Sequence, residues 1–259
     1  MIPSADKAFE QLSQFDRLWL FLDYDGTLAD FAPTPDVVEP DPDLIALLSA
    51  LREKPGLRLA VISGRRLKHV RRLVPIPGVW LAGTYGIELF TPAGTELERL
   101  DYRSIRPALE KLKLDWHNLI GNQPGFYLED KGWSLAIHAR FAPDQEVDTI
   151  LSAARTQANP ALAAGGLRLL GGHKFLEICP RQADKGETLE HILSSDVLTR
   201  ALPVYLGDDD KDEQAFQVVK SRQGIAIVVM AAPRPTLAQY ALLDPAAVRT
   251  WLQALLRMR

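Results

Sequence analysis

Asp23-Tyr24-Asp25-Gly26-Thr27-Leu28 follows directly on the apolar run Arg17 to Asp23, RLWLFLD. In an extended chain side chains alternate with period two, so Asp23 and Asp25 are expected to project the same way. Two neighbouring carboxylates repel each other and invite a hard cation such as Mg2+, which takes oxygen ligands. Gly26 lets the chain leave the strand sharply. A second acidic run, Gly207-Asp208-Asp209-Asp210-Lys211-Asp212-Glu213, also follows an apolar segment, PVYLG. By itself that run reads equally as a solvated loop or a helix start, where the helix dipole favours negative side chains. Beside the first cluster it could complete one metal site. Ser63-Gly64-Arg65 ends a third apolar run, LRLAVIS, and Lys185-Gly186 opens a later helix. A hydroxyl and backbone N–H groups at a strand-to-helix turn can hold a phosphate, and a Lys ammonium supplies a point charge for it.

The elements that must position these groups are legible from pattern. The continuous apolar runs at 17–23, 57–63, 79–82, 203–206 and 224–230 read as strands covered on both faces. Between them lie helical patterns. Asp41-Pro42 opens one as cap and first helical residue, and LIALLSALRE supplies its apolar stripe. Others begin near Arg65, Lys185, Lys211 and Asp244. Such alternation predicts a parallel sheet with helices on its faces. Residues 87–100 read as a hairpin turning at Thr91 to Gly94. After Tyr102 the order becomes helix (105–119), strands (126–130 and 133–140), helix (144–158), and strands (167–170 and 174–178) around Gly171-Gly172. That order suits a small α+β unit with a largely antiparallel sheet, inserted into the parallel-sheet domain.

With 259 residues, 47% of them hydrophobic, the chain sits between one domain and two, and has ample material for a core. Lys+Arg 30 against Asp+Glu 33 gives a net charge of −3, which argues against a nucleic-acid partner needing a basic face. No apolar run approaches the ~20 residues of a membrane span, and Met1 to Glu10 is not a secretory signal. A monomer acting in the cytoplasm is expected, in a reducing compartment compatible with a lone Cys179.

The four chemistry-bearing pieces, in this order, resemble the motifs of the haloacid dehalogenase superfamily of aspartyl-nucleophile phosphatases. Within it the sequence is most similar to trehalose-6-phosphate phosphatases. Their fourth motif, GDDxTDE followed by an acidic residue, Ala and Phe, reads here GDDDKDEQAF, with Gln214 in the acidic place, and their SGR is matched by Ser63 to Arg65. Their Glu-x-Lys, His-x-Arg and Glu-before-Pro are matched by Glu129 and Lys131, His138 and Arg140, and Glu177 ahead of Pro180. Two further departures matter: the usual Thr is Lys211, and the usual His-Gly is Tyr85-Gly86. Both would mark a divergent sugar specificity.

The resemblance implies a Rossmann-like doubly wound core, residues 1–102 and 181–259, carrying an inserted α+β cap, 103–180, that selects the substrate. It implies Asp23 as nucleophile, Asp25 as acid and base, and Ser63 and Lys185 as holders of the transferring phosphoryl group. Mg2+ would take a side-chain oxygen of Asp23, the backbone carbonyl of Asp25, and Asp208, with Asp209 and Asp212 behind them or acting through water. Gly64, Arg65, Glu129, Lys131, Arg140 and Glu177 would meet the substrate. The implied reaction is hydrolysis of trehalose 6-phosphate through an aspartyl-phosphate. The alternatives are another sugar phosphate, such as glucosyl- or mannosyl-3-phosphoglycerate, or a catalytically silent sugar-phosphate sensor. Other features read plainly: the basic run Arg65 to Arg72 as one solvated helix face, His173 as a turn residue, Trp116 and Trp133 as cap core.

Overall fold

The computed structural model describes residues 2–31, 38–172 and 174–258, so His173 lies outside it. Two compact units emerge from the chain's contacts: Met1–Leu97 with Asp184–Arg259, and Glu98–Ala183 between them in sequence. The inserted unit thus starts and ends a few residues outside the 103–180 expected.

In the first unit the chain forms α1 (Ala8–Leu12), β1 (Leu18–Leu22), α2 (Pro42–Arg52), β2 (Leu57–Ile62), α3 (Leu67–Leu73), β3 (Trp80–Gly83), β4 (Glu88–Phe90) and β5 (Glu96–Glu98). In the inserted unit it forms α4 (Tyr102–Ile120), β6 (Tyr127–Asp130), β7 (Leu135–His138), α5 (Asp144–Ala163), β8 (Leu167–Gly172) and β9 (Phe175–Pro180). It then returns to the first unit as α6 (Lys185–Ser195), β10 (Leu202–Gly207), α7 (Glu213–Ser221), β11 (Ile225–Val229), β12 (Tyr240–Leu242) and α8 (Pro245–Met258).

Eight strands of the first unit lie in the order β12-β11-β10-β1-β2-β3-β4-β5, parallel from β12 to β3. β4 turns back antiparallel to β3. Period-two alternation along β1 feeds two cores. Leu18, Leu20 and Leu22 pack with Leu48, Val70 and Leu252 of α2, α3 and α8. Trp19 and Phe21 pack with Leu189, Ile192 and Phe216 of α6 and α7. Asp41 caps α2 as the sequence predicts, accepting from the N–H groups of Asp43 and Leu44 at 2.9 and 3.2 Å ahead of Pro42. The chain runs from β1 outward to β2 and β3, and later returns on β1's other side as β10. The order reverses between β1 and β10, and the crevice at their carboxyl ends is where open α/β sheets bind ligands.

The inserted unit has a four-stranded antiparallel sheet, β6-β7-β9-β8. Leu135, Ile137, Leu176 and Ile178 face α4 and α5, packing with Leu112, Trp116, Ile150 and Ala154. Trp116 is buried there and donates to Ala154 O at 3.1 Å; Trp133 is buried against Tyr102. The alternate residues, among them Glu129, His138 and Glu177, belong to the opposite face.

Some elements depart from expectation. Gly171-Gly172 belongs to β8 and pairs with Leu176 and Phe175, so the turn comes after it. The helix expected at 211–219 begins as a 3-10 turn, Asp210–Asp212, before α7. α1 and β12 went unread, being only five and three residues long. No described helix is long and apolar enough to cross a membrane.

Candidate active site

β1 and β10 are neighbours, Leu22 opposite Leu206, and the Asp23 N–H donates to Leu206 O at 2.9 Å. The residues that follow each strand therefore meet: carboxylate oxygens of Asp23, Asp208 and Asp212 lie within 4.8 Å of one another. Gly26 is needed here twice, for its φ of +79° and because a Cβ would collide with the Asp208 carboxylate. Gly207 likewise leaves room for the Asp212 side chain.

Lys185, first residue of α6 and buried, joins the cluster. Its Nζ donates to Asp23 Oδ1 at 2.7 Å and to Asp212 Oδ1 at 2.6 Å. The helix start is fixed by Asp184, whose side chain accepts from the Glu187 N–H. Asp212 is saturated. Its Oδ1 also accepts from the Tyr205 hydroxyl at 2.6 Å, and its Oδ2 from the N–H groups of Asp208 and Asp209 at 2.9 and 3.0 Å. It shapes the loop and holds the ammonium. Among the described residues Asp23 Oδ2 has only a 3.5 Å contact from the Thr27 hydroxyl, which leaves it available to react.

Two buried carboxylates and one half-buried, around one ammonium, leave uncompensated negative charge. Burial pushes the Asp23 carboxyl up to about 7, with Asp212 and Asp209 adding to the rise and Lys185 opposing it. Burial, then Asp23, Asp209 and Asp212, push Asp208 up to about 10. The Lys185 ammonium is held well above its ordinary value: burial lowers it, but Asp212 and Asp23 more than offset that. An all-oxygen, electron-rich set of this kind suits a divalent cation, whose charge would reverse the strain on Asp23 and Asp208.

Asp209 has a different partner. Its side chain caps the 3-10 turn, accepting from Lys211 N at 2.8 Å and Lys211 Nζ at 2.5 Å. Burial opposes ionisation, but the Lys211 and Lys185 charges bring its carboxyl down to about 2. The unusual Lys211 thus pairs with Asp209.

Beside β1, the loop Ser63 to Arg65 closes the site's other flank. Ser63 is buried, and its Oγ accepts from the Arg65 N–H at 3.1 Å, which leaves its hydroxyl proton to donate elsewhere. Thr84 and Tyr85, at φ +48° and +54°, fold over this loop: Thr84 N donates to Arg65 O at 2.7 Å and Tyr85 N to Ser63 O at 2.9 Å. The Tyr85 ring fills the space a side chain at 64 would need. Asp25 and Asp23 take different partners. The strand has ended by Leu22, so period two no longer governs Asp25, and both its oxygens accept from the Arg65 side chain.

In the inserted unit, Glu177 is fully buried and accepts from Lys131 Nζ at 3.0 Å and the Ser134 hydroxyl at 2.6 Å. Glu129 lies 2.9 Å from His138 Nε2, and its other close charge is Lys131 at 3.9 Å. Burial lowers the Lys131 ammonium, yet Glu177 and Glu129 raise it past its ordinary value. Arg140 is exposed and has no ion-pair partner among the described residues. Cys179 is buried, its thiol pushed up to about 12 by burial and Glu177, and offers no thiolate.

Of the run Arg65 to Arg72 expected as one solvated helix face, Arg65 is buried ahead of the helix and Leu67 and Val70 face the core, while Arg66, Arg71 and Arg72 pair with Glu88, Glu96 and Glu39. Tyr205, Ser134, Thr27 and Arg234 were missed by sequence reasoning. Arg234 donates to Asp208 O at 3.1 Å and Glu213 at 2.8 Å. Only Tyr205, a hydroxyl inside an apolar strand, left a signal.

The profile of the trehalose-phosphatase family matches residues 21–246. Over 239 residues the chain is 35% identical to the trehalose-phosphate phosphatase of Mycobacterium ulcerans, covering 88% of this chain and 59% of that protein. Against the Mycobacterium tuberculosis H37Rv trehalose-phosphate phosphatase it is 35% identical over 247 residues, 92% of this chain and 61% of that one. The chain therefore spans about three fifths of these curated relatives. Among solved structures, the C. albicans trehalose-6-phosphate phosphatase C-terminal domain superposes with a TM-score of 0.86 at 19% identity, covering 99% and 98% of the two chains. A haloacid dehalogenase-like hydrolase from Bacteroides thetaiotaomicron gives 0.67 at 16%, covering 93% and 100%. These two carry the fold.

Proposed function

The chain belongs to the trehalose-phosphatase family, and we propose that it is a Mg2+-dependent phosphatase converting trehalose 6-phosphate to trehalose and phosphate through a phosphorylated Asp23. The observation that carries this reading is the meeting of Asp23, Asp208, Asp212 and Lys185 at the carboxyl ends of β1 and β10.

Asp23 Oδ2 attacks phosphorus as the bond to the sugar oxygen breaks, giving an aspartyl-phosphate. Asp25 gives a proton to the departing sugar oxygen. It then takes one from the water whose oxygen attacks phosphorus and frees Asp23. Ser63, through its unspent hydroxyl proton, and the Gly64 N–H hold phosphoryl oxygens. Lys185 orients Asp23 through Oδ1 and offers positive charge to the same phosphoryl group. Mg2+, held by Asp23, Asp208 and the Asp25 carbonyl with Asp212 and Asp209 behind them, would neutralise the repulsion between nucleophile and phosphate dianion. Asp212, already accepting four hydrogen bonds, fits that supporting part.

The inserted unit supplies sugar recognition. Glu129, Lys131 and Arg140 would offer acceptors and donors for hydroxyl groups, and the fully buried Glu177, also expected to meet the substrate, would act by holding Lys131. The Lys131–Glu177 pair is held at fixed geometry by Ser134.

The test is phosphate release over a panel of sugar phosphates with and without Mg2+. Release from trehalose 6-phosphate that stops with EDTA and with Asp23→Asn is expected. Turnover of a glycosyl phosphoglycerate with trehalose 6-phosphate untouched would overturn the substrate, and release by Asp23→Asn at the wild-type rate would overturn the nucleophile.

A further inference from the structure

Arg65 is 8% exposed, and its guanidinium grips Asp25 with two parallel hydrogen bonds: Nε to Oδ2 at 2.7 Å and Nη2 to Oδ1 at 2.6 Å. We propose that Arg65 is a positioning residue, which fixes the Asp25 carboxylate to receive the proton of the water that hydrolyses phosphorylated Asp23. This rests on the reading above that Asp25 is the acid and base of an aspartyl phosphatase.

The geometry favours this role over a grip on phosphate. A planar fork meeting both carboxylate oxygens fixes the rotation of the group as well as its place, which one ammonium cannot do. Each Asp25 oxygen already faces an N–H, so the carboxylate is held in one rotation. Asp25 keeps 24% of its side chain exposed, against 8% for Arg65, so the outer side of the carboxylate is open to a water.

Arg65 is itself anchored at every level. Its N–H donates to Ser63 Oγ, its carbonyl accepts from Thr84 N, and its guanidinium stands 5.9 Å from the Tyr24 ring centroid. The segment that holds its carbonyl contains two successive non-glycine residues at positive φ, Thr84 and Tyr85. Such backbone is costly for residues with a Cβ and persists where its surroundings demand it. The strained turn thus braces the arginine that braces Asp25.

The step in question breaks the Asp23 Oδ–P bond and forms a bond from water oxygen to phosphorus. The water proton passes to Asp25, and Asp23 leaves as a carboxylate. An Asp25 free to rotate slows this step. It leaves the preceding one intact for a substrate whose leaving group needs no proton, such as p-nitrophenyl phosphate.

Arg65→Lys and Arg65→Ala, assayed with p-nitrophenyl phosphate and Mg2+, should keep a full burst of p-nitrophenolate. Steady turnover should fall by about 10²-fold, phosphoenzyme should accumulate on acid quench, and KM should fall with kcat. Lysine should not rescue, because it lacks the fork. Three results would overturn the proposal: a raised KM with kcat kept, which marks a phosphate ligand; a lost burst, which marks damage to the first step; or rescue by lysine. The wild-type chain separates the two readings. Phosphate release with no phosphoenzyme on Asp23 sinks the aspartyl mechanism and this proposal together. A wild-type burst with no accumulation in the variants sinks this proposal alone.

Discussion

Asp208→Asn is expected to stabilise the metal-free chain while removing its response to metal. At pH 7 the half-buried Asp208 carboxyl, pushed up to about 10 from 3.8, keeps its proton in the fold and loses it in the unfolded chain. Each unit of that mismatch is about 1.4 kcal/mol, and pH 7 lies roughly three units above 3.8, a penalty of about 4 kcal/mol. Asparagine, of the same shape, carries no such penalty. Its amide must find partners in a half-buried pocket, which takes back about 1–2 kcal/mol. A net gain of about 2 kcal/mol remains. The sign follows from proton count: between 3.8 and about 10 the fold binds more protons than the unfolded chain, so wild-type stability falls as pH rises. The advantage of the variant should therefore vanish near pH 5 and be clear at pH 7. Urea unfolding in EDTA at both pH values measures this. With a slope near the upper end for small proteins, about 3 kcal/mol per M, the midpoint moves up by about 0.7 M. Saturating Mg2+ should reverse the order, adding about 2.7 kcal/mol to the wild type at a hundredfold excess over its Kd. An Asp208→Asn chain no more stable than wild type in EDTA at pH 7, or one that gains as much from Mg2+, refutes the reasoning.

Lys131→Met leaves the fully buried Glu177 without its cation and should destabilise the chain by about 3–5 kcal/mol in urea unfolding. Adding Glu177→Gln should recover part of that, because the loss comes from an uncompensated charge. Asp130 is held well below the ordinary carboxylate range, first by its hydrogen bonds from Arg106 and then by Lys113, against the opposing effect of burial. A depressed carboxylate stabilises above its unfolded value and loses that contribution as pH falls below about 4. Arg106→Ala should therefore move acid unfolding to higher pH in a circular-dichroism titration; an unmoved midpoint would exclude the pairing as a source of stability. Tyr205→Phe removes one of four hydrogen bonds on Asp212 and should cost about 1 kcal/mol in urea. A larger loss would mean that the tyrosine supports more than that carboxylate.

The sheet was legible because its strands are buried on both faces and read as unbroken apolar runs, and because Asp41-Pro42 announces its helix. β12 was not, since Tyr240, Ala241 and Leu242 are too few to show a period. The acidic motifs were legible by type and spacing. Their division of labour was not. That Asp212 spends both oxygens on the fold, while Asp23 keeps one, depends on Tyr205, Lys185 and two backbone N–H groups that only the closed sheet assembles. The resemblance set Arg65 among the residues that would meet the substrate; its partner Asp25, 40 residues away, is set by the approach of two loop ends. Lys211, which looked like an intrusion on the metal loop, turns back on Asp209 two residues earlier.

The adjacency of β1 and β10 also has a consequence in time. A ribosome adding ~5–20 residues per second delivers the first of these strands roughly 10–40 s before the second. Through that interval β1 and β2 can form, but β1 has one open edge, and Asp23 has neither Lys185 nor Asp212. The nascent chain therefore carries Asp23 as an ordinary acid. The buried, mutually repelling cluster is assembled only once the last third of the sequence docks, with the apolar strand and helices at hand that offset its cost. Strain of this kind, imposed early, would have opposed folding; imposed last, it is borne by a sheet already half built.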